Sequence, residues 1–175
     1  MRTYTILLIL IVMFGCRNYQ KMETVSSVDL KKYAGKWYEI AAYPTIFQKG
    51  CTNTSAEYLI TDKNYVKVIN RCNKDSVDGI AKSIEGKAFI VKNTNNSKLR
   101  VQFFWPFKGD YWIIGLADDY SWAVVSHPNR KYLWILSRTP QLDETVYKKI
   151  IQLIVDKGLD PEKLKKTLQK ELRYR

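Results

Sequence analysis

The chain has 175 residues, which is enough for one domain with a hydrophobic core and little more. Hydrophobic residues make up 46% of the sequence and aromatic residues 13%, a composition that excludes disorder over most of the chain and favours strands. The formal net charge of +12 favours anionic partners such as lipid headgroups. We do not expect nucleic acid as a partner, because the basic residues are spread along the predicted strands instead of forming one stripe.

The start of the chain predicts export. Arg2 supplies a positive charge, and residues 6–14 form an apolar run that is shorter than the roughly 20 residues needed to span a bilayer. The run ends at Gly15-Cys16, and a small residue directly before a cysteine resembles a bacterial lipoprotein cleavage site. We therefore predict a signal peptide over residues 1–15.

Cys16 is then the first residue of the exported chain and the predicted site of lipidation. Residues 16–28 lack hydrophobic periodicity and predict a tether that links the lipid to the folded domain. Arg17 stands where an Asp would retain a lipoprotein in the inner membrane, so the expected location is the bacterial outer membrane, on its periplasmic side. Ordinary secretion without lipidation is the alternative.

Eight short runs rich in Val, Ile, Tyr and Phe predict strands that are separated by polar turns. Their predicted bounds are 36–44, 53–61, 64–72, 84–92, 98–105, 110–118, 120–127 and 131–138. In the fifth run, Leu99, Val101 and Phe103 alternate with polar residues, as in a strand with one apolar face. Eight strands joined by short turns predict an all-β fold, an antiparallel up-and-down β-barrel that encloses a small-ligand cavity.

A single helix is predicted after the eighth strand. Asp143 is a suitable N-cap and Gly158 a suitable C-terminal stop. The residues that share one apolar helix face are Val146, Ile150, Leu153 and Ile154. We expect this face to pack on the outside of the barrel. Asp160-Pro161 predicts a second, weaker helical start, followed by a stretch that is either helical or extended, and the barrel domain with its helix and tail is expected over residues 29–175.

Three motifs in the barrel region carry a resemblance to a known family. Gly35-Lys36-Trp37 opens the first predicted strand. Asp118-Asp119-Tyr120 lies at the turn between the sixth and seventh strands, and Arg138 ends the eighth. In this order the motifs resemble those of the lipocalin family, although Asp118 stands where that family has Thr. The fold-motif residues assigned through the resemblance are Gly35, Trp37, Asp119, Tyr120 and Arg138.

The resemblance implies a barrel with a closed end and an open mouth that binds lipids. Residues 35–43, 85–88 and 132–140 are similar to the subgroup of bacterial outer-membrane lipoproteins and apolipoprotein D, whose bacterial branch is associated with fatty acids and lysophospholipids. It also implies that Trp37 fills the closed end with the Arg138 guanidinium against its ring. These two residues would therefore define the fold and not the ligand.

The open mouth is expected at residues 44–52, 73–83, 105–109 and 128–130. Its loops carry large apolar residues, for which ligand entry, membrane contact, a homodimer interface and local packing are all open explanations. Small Gly86 and Ala88 predict room for an acyl chain inside. Strand alternation from Trp37 gives the expected ligand-binding residues of the strands as Ala41, Tyr43, Tyr58, Val68, Asn70, Val101, Phe103, Ile113 and Trp134. The mouth loops add Phe47 and Trp105.

The leading functional prediction is a lipid-binding outer-membrane lipoprotein that holds or transports fatty acids or lysophospholipids and needs no cofactor. A lipid-modifying enzyme on the same fold, or a structural or adhesive surface module, are the alternatives. An enzyme would need an acid/base pair near the cavity, and the candidates are Glu39, Tyr43 and His127. The single histidine and the lack of a Cys-x-x-Cys pair predict no metal site.

Hairpin geometry predicts a disulfide between Cys51 and Cys72. Antiparallel pairing about a turn near residues 62 and 63 places the two cysteines opposite each other, close to the mouth. A β-bulge or a register shift of one residue would turn one of them to the other face. Two unpaired buried thiols are the alternative, which an oxidising compartment disfavours.

Overall fold

The computed structural model describes residues 21–170. Its strands are β1 (Gly35–Ala42), β2 (Cys51–Ile60), β3 (Val66–Lys74), β4 (Ala81–Ile90), β5 (Lys98–Gln102), β6 (Gly109–Leu116), β7 (Trp122–Ser126), β8 (Leu133–Ser137) and β9 (Lys165–Lys166). Its α-helices are α1 (Leu30–Tyr33) and α2 (Glu144–Asp156). From β1 to β8 each strand pairs antiparallel with the next, and β8 pairs back with β1. The predicted eight-stranded up-and-down barrel is therefore confirmed.

Several strand ends differ from the predicted bounds by two or three residues. The fifth strand ends at Gln102 and not at residue 105. The predicted strand is too long because apolar residues of the mouth loop continue the hydrophobic pattern of the strand up to Pro106, which has no N–H to donate. The seventh strand begins at Trp122 and not at residue 120, because Tyr120 has φ +61° and belongs to the preceding turn. Turn geometry sets the end of β5 and the start of β7, and the alternation of apolar and polar residues does not indicate it.

Helix α2 has the predicted caps and the predicted position. The Asp143 carboxylate accepts hydrogen bonds from the backbone N–H groups of Thr145 and Val146, which have no partner inside the helix. Gly158 follows the helix with φ +70°, a conformation that suits glycine. Ile150 and Ile154 are fully buried against the outer wall of the barrel. The helix therefore covers the barrel from outside, as its apolar face predicts.

The apolar residues form two separate clusters, one inside the barrel and one under helix α2. Strand β8 shows the division, since Trp134 and Leu136 pack in the interior cluster while Leu133 and Ile135 pack under the helix. This strand is buried on both faces, which explains its nearly continuous apolar sequence.

Part of the predicted tether is packed against the barrel. Met22 and Val28 are only 5% and 3% exposed, and the Val25 N–H donates to the carbonyl of Ile113 at 2.9 Å. The tether prediction over residues 16–28 is therefore wrong for residues 22–28. Met22 packs in the cluster under α2, whereas Val25 and Val28 pack with the interior cluster, so this segment contacts both.

Between α2 and residue 170, the chain is mostly extended. A single 3₁₀ turn, Pro161–Lys163, leads into β9, which pairs with β1. Residues 167–170 then run between β1 and β2 at the mouth, where the Asn53 N–H donates to the carbonyl of Leu168 at 2.6 Å. The weak helical start at Asp160-Pro161 is thus one turn only, and the tail closes the seam that β1 and β2 leave beyond their own pairing.

Candidate functional site

The closed end of the barrel is built around Trp37 and Arg138. The Trp37 side chain is fully buried, and the guanidinium carbon of Arg138 lies 3.8 Å from the centroid of its ring. The same guanidinium donates hydrogen bonds to the carbonyl oxygens of Lys32 and Lys36 at 2.6 and 2.9 Å. Tyr33 packs beside the indole with its ring centroid 4.9 Å away. The contact implied by the resemblance is present, and this end is sealed.

The other motif residues shape the turns at the same end. Gly35 has φ +93°, and a Cβ there would lie 3.4 Å from a terminal nitrogen of Arg138. Hydrogen bonding from the Ser121 hydroxyl, and then from the Ser121 backbone N–H at 3.0 Å, lowers the pKa of the Asp119 carboxyl. The Tyr120 hydroxyl accepts a hydrogen bond from the N–H of Asp29, the N-cap of α1. The motifs therefore hold α1 across the closed end.

Burial of the inward side chains falls from the closed end to the mouth. Of the predicted ligand-binding residues, Tyr58, Val68 and Ile113 lie in the interior cluster and are at most 4% exposed. Val101, Phe103 and Trp134 pack on the mouth side of that cluster and are only partly buried. The inward partners Asn70 and Ile84 pair across β3 and β4, and Ile84 is 37% exposed although it faces the interior. The interior is thus open at the mouth and filled below.

The predicted space above Gly86 is occupied. A Cβ at Gly86 would lie 2.7 Å from Cδ1 of Phe103, so the Phe103 ring sits on the glycine. Ala88 is fully buried in the same interior cluster. The small residues of β4 therefore make room for an aromatic ring of the barrel itself.

Ala41 and Tyr43 do not face the interior, so the prediction that they bind ligand is wrong. In the pairing of β1 with β8, Glu39 stands opposite Leu136 and Ala41 opposite Ile135, which leaves one residue without a partner. This bulge reverses the alternation, and both residues pack in the cluster under α2. The Tyr43 hydroxyl donates to the backbone carbonyl of Asp160 at 2.7 Å on that side.

The mouth carries a collar of exposed apolar side chains. Its members, here called the apolar collar, are Ile46, Phe47, Ile80, Phe104, Trp105 and Phe107, and they are between 69% and 86% exposed. They lie on three loops at the same end of the barrel, after β1, β3 and β5. Six such residues at one end exceed what scattered surface hydrophobics require. Phe47 and Trp105, both predicted to contact ligand, belong to this collar.

An aromatic series connects the collar to the interior. The Phe47 ring lies 6.2 Å from that of Tyr132, which stacks on Trp134 with centroids 6.0 Å apart and planes at 9°. The indole N–H of Trp134 donates to the side-chain oxygen of Gln48 at 3.2 Å. Apolar surface is therefore continuous from the exposed loop to the inward face of β8.

A disulfide joins Cys51 and Cys72 at the base of the first mouth loop, with Cα atoms 5.5 Å apart. The two cysteines are not directly opposite, because Cys51 pairs with Lys74 in the strand register. The irregular pairing between Thr52 and Ser55 brings the cysteines together diagonally. A β-bulge could have turned one cysteine to the other face, but the irregular pairing found here permits the disulfide.

A buried carboxyl lies inside the rim beside the disulfide strands. Glu39 is 7% exposed, and its carboxylate accepts hydrogen bonds from the Thr167 hydroxyl and the Gln48 amide, both at 2.6 Å. Burial raises the pKa of this carboxyl, and the two hydrogen bonds oppose the shift. Its partners come from a loop and from the C-terminal tail, so alternation along β1 gave no signal for them.

The three acid/base candidates form hydrogen bonds with different partners. Glu39 bonds to Thr167 and Gln48, whereas Tyr43 bonds to the backbone of Asp160 outside the barrel. Nδ1 of His127 accepts from the N–H of Asn129 in the β7–β8 loop. None of the three contacts another, so they form no catalytic pair.

Two further sequence predictions concern features outside the barrel interior. Cys16 and the signal peptide over residues 1–15 lie outside the described residues. Within residues 21–170, no helix is both long and apolar enough to cross a membrane. In the same range, no three His, Cys, Asp or Glu side chains converge as a metal-binding group.

Comparison with known sequences gives a consistent set of relatives. The Lipocalin-like domain family matches residues 28–169. The chain is 36% identical over 166 residues to outer membrane lipoprotein Blc of Vibrio cholerae, covering 94% of this chain and 96% of that protein. It is 38% identical to Escherichia coli Blc over 79% of this chain and 78% of that one, and 34% identical to apolipoprotein D of Macaca fascicularis over 81% and 77%.

Solved structures show the same fold at lower identity. Insecticyanin of the tobacco hornworm Manduca sexta superposes with a TM-score of 0.70 and 23% identity, over 86% of this chain and 85% of that one. Lobster apocrustacyanin A1 gives a TM-score of 0.62 at 21% identity, over 81% and 79%. At these identities the likeness concerns the architecture alone.

Proposed function

This chain belongs to the lipocalin family, and on that premise we propose that it is a lipid-binding lipoprotein of the bacterial outer membrane. It holds or carries a fatty acid or a lysophospholipid whose chain lies inside the barrel and whose headgroup stays at the mouth. The observation that carries the proposal is the burial gradient of the inward residues. Val101, Phe103 and Trp134 offer apolar surface that is still partly exposed, and burying such surface drives binding.

Charge at the mouth supports an anionic headgroup. Lys49, Lys108 and Lys131 are exposed on three of the mouth loops, and the whole chain carries a formal net charge of +12. Cations near a pocket entrance attract carboxylate and phosphate groups without being buried themselves. A single-chain amphiphile combines these two requirements, because one end is apolar and the other is charged.

The envelope location rests on the start of the chain and on the relatives. The apolar run that ends at Gly15-Cys16 predicts an acylated cysteine, and similar proteins of Vibrio cholerae and Escherichia coli are named outer membrane lipoproteins. We propose Cys16 as the anchor and the periplasmic side as the location. The apolar collar would then be the route by which a lipid leaves a bilayer and enters the barrel, and any homodimer would bury the same collar.

Calorimetric titration with a lysophospholipid and with a fatty acid tests the ligand. The delipidated protein should bind at least one of them with one site. Val101→Asp should abolish this binding, because it places an unpaired carboxylate on the inward face of β5. Gln102→Asp, on the opposite face of the same strand, is the matched control and should bind normally. The absence of binding to every single-chain amphiphile would overturn the proposal.

A further inference from the structure

Three tyrosine hydroxyls meet inside the barrel. The Tyr33 and Tyr111 oxygens are 2.7 Å apart, and the Tyr58 hydroxyl donates to the Tyr111 oxygen at 2.8 Å. Tyr33 comes from α1, Tyr58 from β2 and Tyr111 from β6. Tyr33 and Tyr58 are 2% and 4% exposed, whereas Tyr111 is partly exposed. The cluster therefore lies where the filled half of the interior meets its open half.

The cluster has more donors than acceptors in use. Each of its three hydroxyls carries one proton, but only two hydrogen bonds join them. Whichever way the Tyr33–Tyr111 bond points, one hydroxyl proton has no acceptor among residues 21–170. A buried donor without an acceptor is unfavourable, so the cluster can donate one further hydrogen bond.

The chemistry around the cluster favours an uncharged acceptor. Burial raises the pKa of Tyr58 to about 12 and also raises the pKa of Tyr33 and Tyr111, so all three hydroxyls keep their protons at physiological pH. The guanidinium of Arg138 is already engaged with the Trp37 ring and with backbone carbonyls. A carboxylate would lose its hydration here without gaining a cation, whereas a hydroxyl or ketone oxygen loses much less.

We propose that the tyrosine cluster is a specificity site for an uncharged oxygen at the far end of the ligand's chain. The inference rests on the proposed function, since a single-chain lipid that enters tail first brings its chain end toward the closed half. A methyl end leaves the spare proton unpaired, and an oxygenated end accepts it. The preferred ligands are therefore acyl chains that carry a hydroxyl or a ketone near the end opposite the headgroup.

Two probes and one variant test this site. The probes are hexadecanoic acid and the same acid with a ketone at the carbon next to its terminal methyl group. The variant Tyr33→Phe/Tyr58→Phe/Tyr111→Phe removes all three hydroxyls, because removing any single one leaves a free donor. The ratio of the two dissociation constants should shift by roughly tenfold against the ketone in this variant, the usual value of one hydrogen bond. Tyr65→Phe, which removes a hydroxyl outside the cluster, should leave the ratio unchanged.

Infrared spectroscopy of the parent protein adds a readout that needs no variant. The isotope-labelled ketone should absorb at lower wavenumber when bound than in a hydrocarbon solvent, because a hydroxyl donates to it. If both probes bind with an unchanged ratio, or the ketone band does not shift, the cluster holds only water or nothing, and the inference fails while the proposed function stands. If neither probe nor a lysophospholipid binds, the proposed function fails and the inference with it. If the triple variant does not fold, the infrared band decides.

Discussion

The guanidinium of Arg138 lies over the indole of Trp37, with 3.8 Å between its carbon and the ring centroid. The two residues are separated by most of the barrel in sequence, one in β1 and the other just after β8. Their contact fixes the strand pair that closes the barrel, and the hydrogen bonds to Lys32 and Lys36 add the loop that carries α1. These non-covalent contacts therefore hold the closed end together, and they do not constrain the open end.

Arg138→Gln should lower the free energy of unfolding by roughly 2 kcal/mol or more, because it removes the cation–π contact and the hydrogen bonds to three backbone carbonyl oxygens. Arg138→Lys should lose nearly as much, since an ammonium cannot reach all three carbonyls while it covers the ring. Urea unfolding of the three proteins measures the difference. A lysine variant as stable as the parent would show that charge alone is needed at this position.

The Cys51–Cys72 bond closes a loop with a sequence separation of 21. Cys51→Ser/Cys72→Ser should therefore destabilise the fold by about 3 kcal/mol, mostly through the greater freedom of the unfolded chain. Thiol titration of the denatured, unreduced Cys16→Ser protein should find no reactive thiol. Two reactive thiols in that titration would contradict the disulfide.

The barrel could be predicted from the sequence, because alternation, turn residues and three spaced motifs all pointed to the same fold. Individual inward positions were harder. Tyr58, Val68, Val101 and Trp134 follow simple alternation, but the bulge before Ala41 moved that residue and Tyr43 to the helix side. When both faces of a strand are apolar, its hydrophobic pattern does not indicate a bulge, so this bulge could not be predicted from the sequence.

The polar contacts inside the barrel were beyond sequence reasoning for a different reason. Gln48 and Thr167 reach Glu39 from a loop and from the C-terminal tail, and neither segment has a periodic pattern. The inward position of Tyr111 could be predicted, because it stands two residues before Ile113 on β6 and shares its inward face. What the sequence did not contain was that α1 brings Tyr33 to the same point.

Glu39 should make stability depend on pH. Burial raises the pKa of its carboxyl in the folded state, so the contribution is fully present below the unfolded pKa and is lost as the pH rises through the folded pKa. The unfolding free energy of the parent should therefore fall relative to Glu39→Gln as the pH rises above about 4, the ordinary pKa of a glutamate in an unfolded chain. Glu85→Gln, which removes an exposed carboxylate, is the control. An equal pH dependence of the parent and Glu39→Gln would show that the carboxyl is not the cause.

Phe47→Ser/Trp105→Ser should slow the transfer of a fluorescent fatty acid from vesicles into the barrel without changing the unfolding free energy. Both side chains are at least 75% exposed in the apolar collar, so their loss costs little packing. Ile60→Ser, which shortens an exposed residue at the other end of the barrel, should transfer at the parent rate. If the collar variant also transfers at that rate, ligand entry does not use the collar.

Cys16→Ser should release the protein from membranes. Each buried methylene of an acyl chain contributes about 0.8 kcal/mol, so several chains anchor a protein almost irreversibly. Fractionation and a high-salt wash compare the variant with the parent. A variant that still sediments with the outer membrane would require an attachment other than the lipid on Cys16.

Native mass spectrometry of the protein taken from its own membrane tests the lipid-binding account most directly. Gentle extraction and purification should give a barrel with one additional mass that corresponds to one single-chain lipid, released on activation and identified as a fatty acid or lysophospholipid. Val101→Asp purified in the same way should appear without that mass. A parent protein that carries no lipid, and takes up none when a fatty acid or a lysophospholipid is added, would contradict the account.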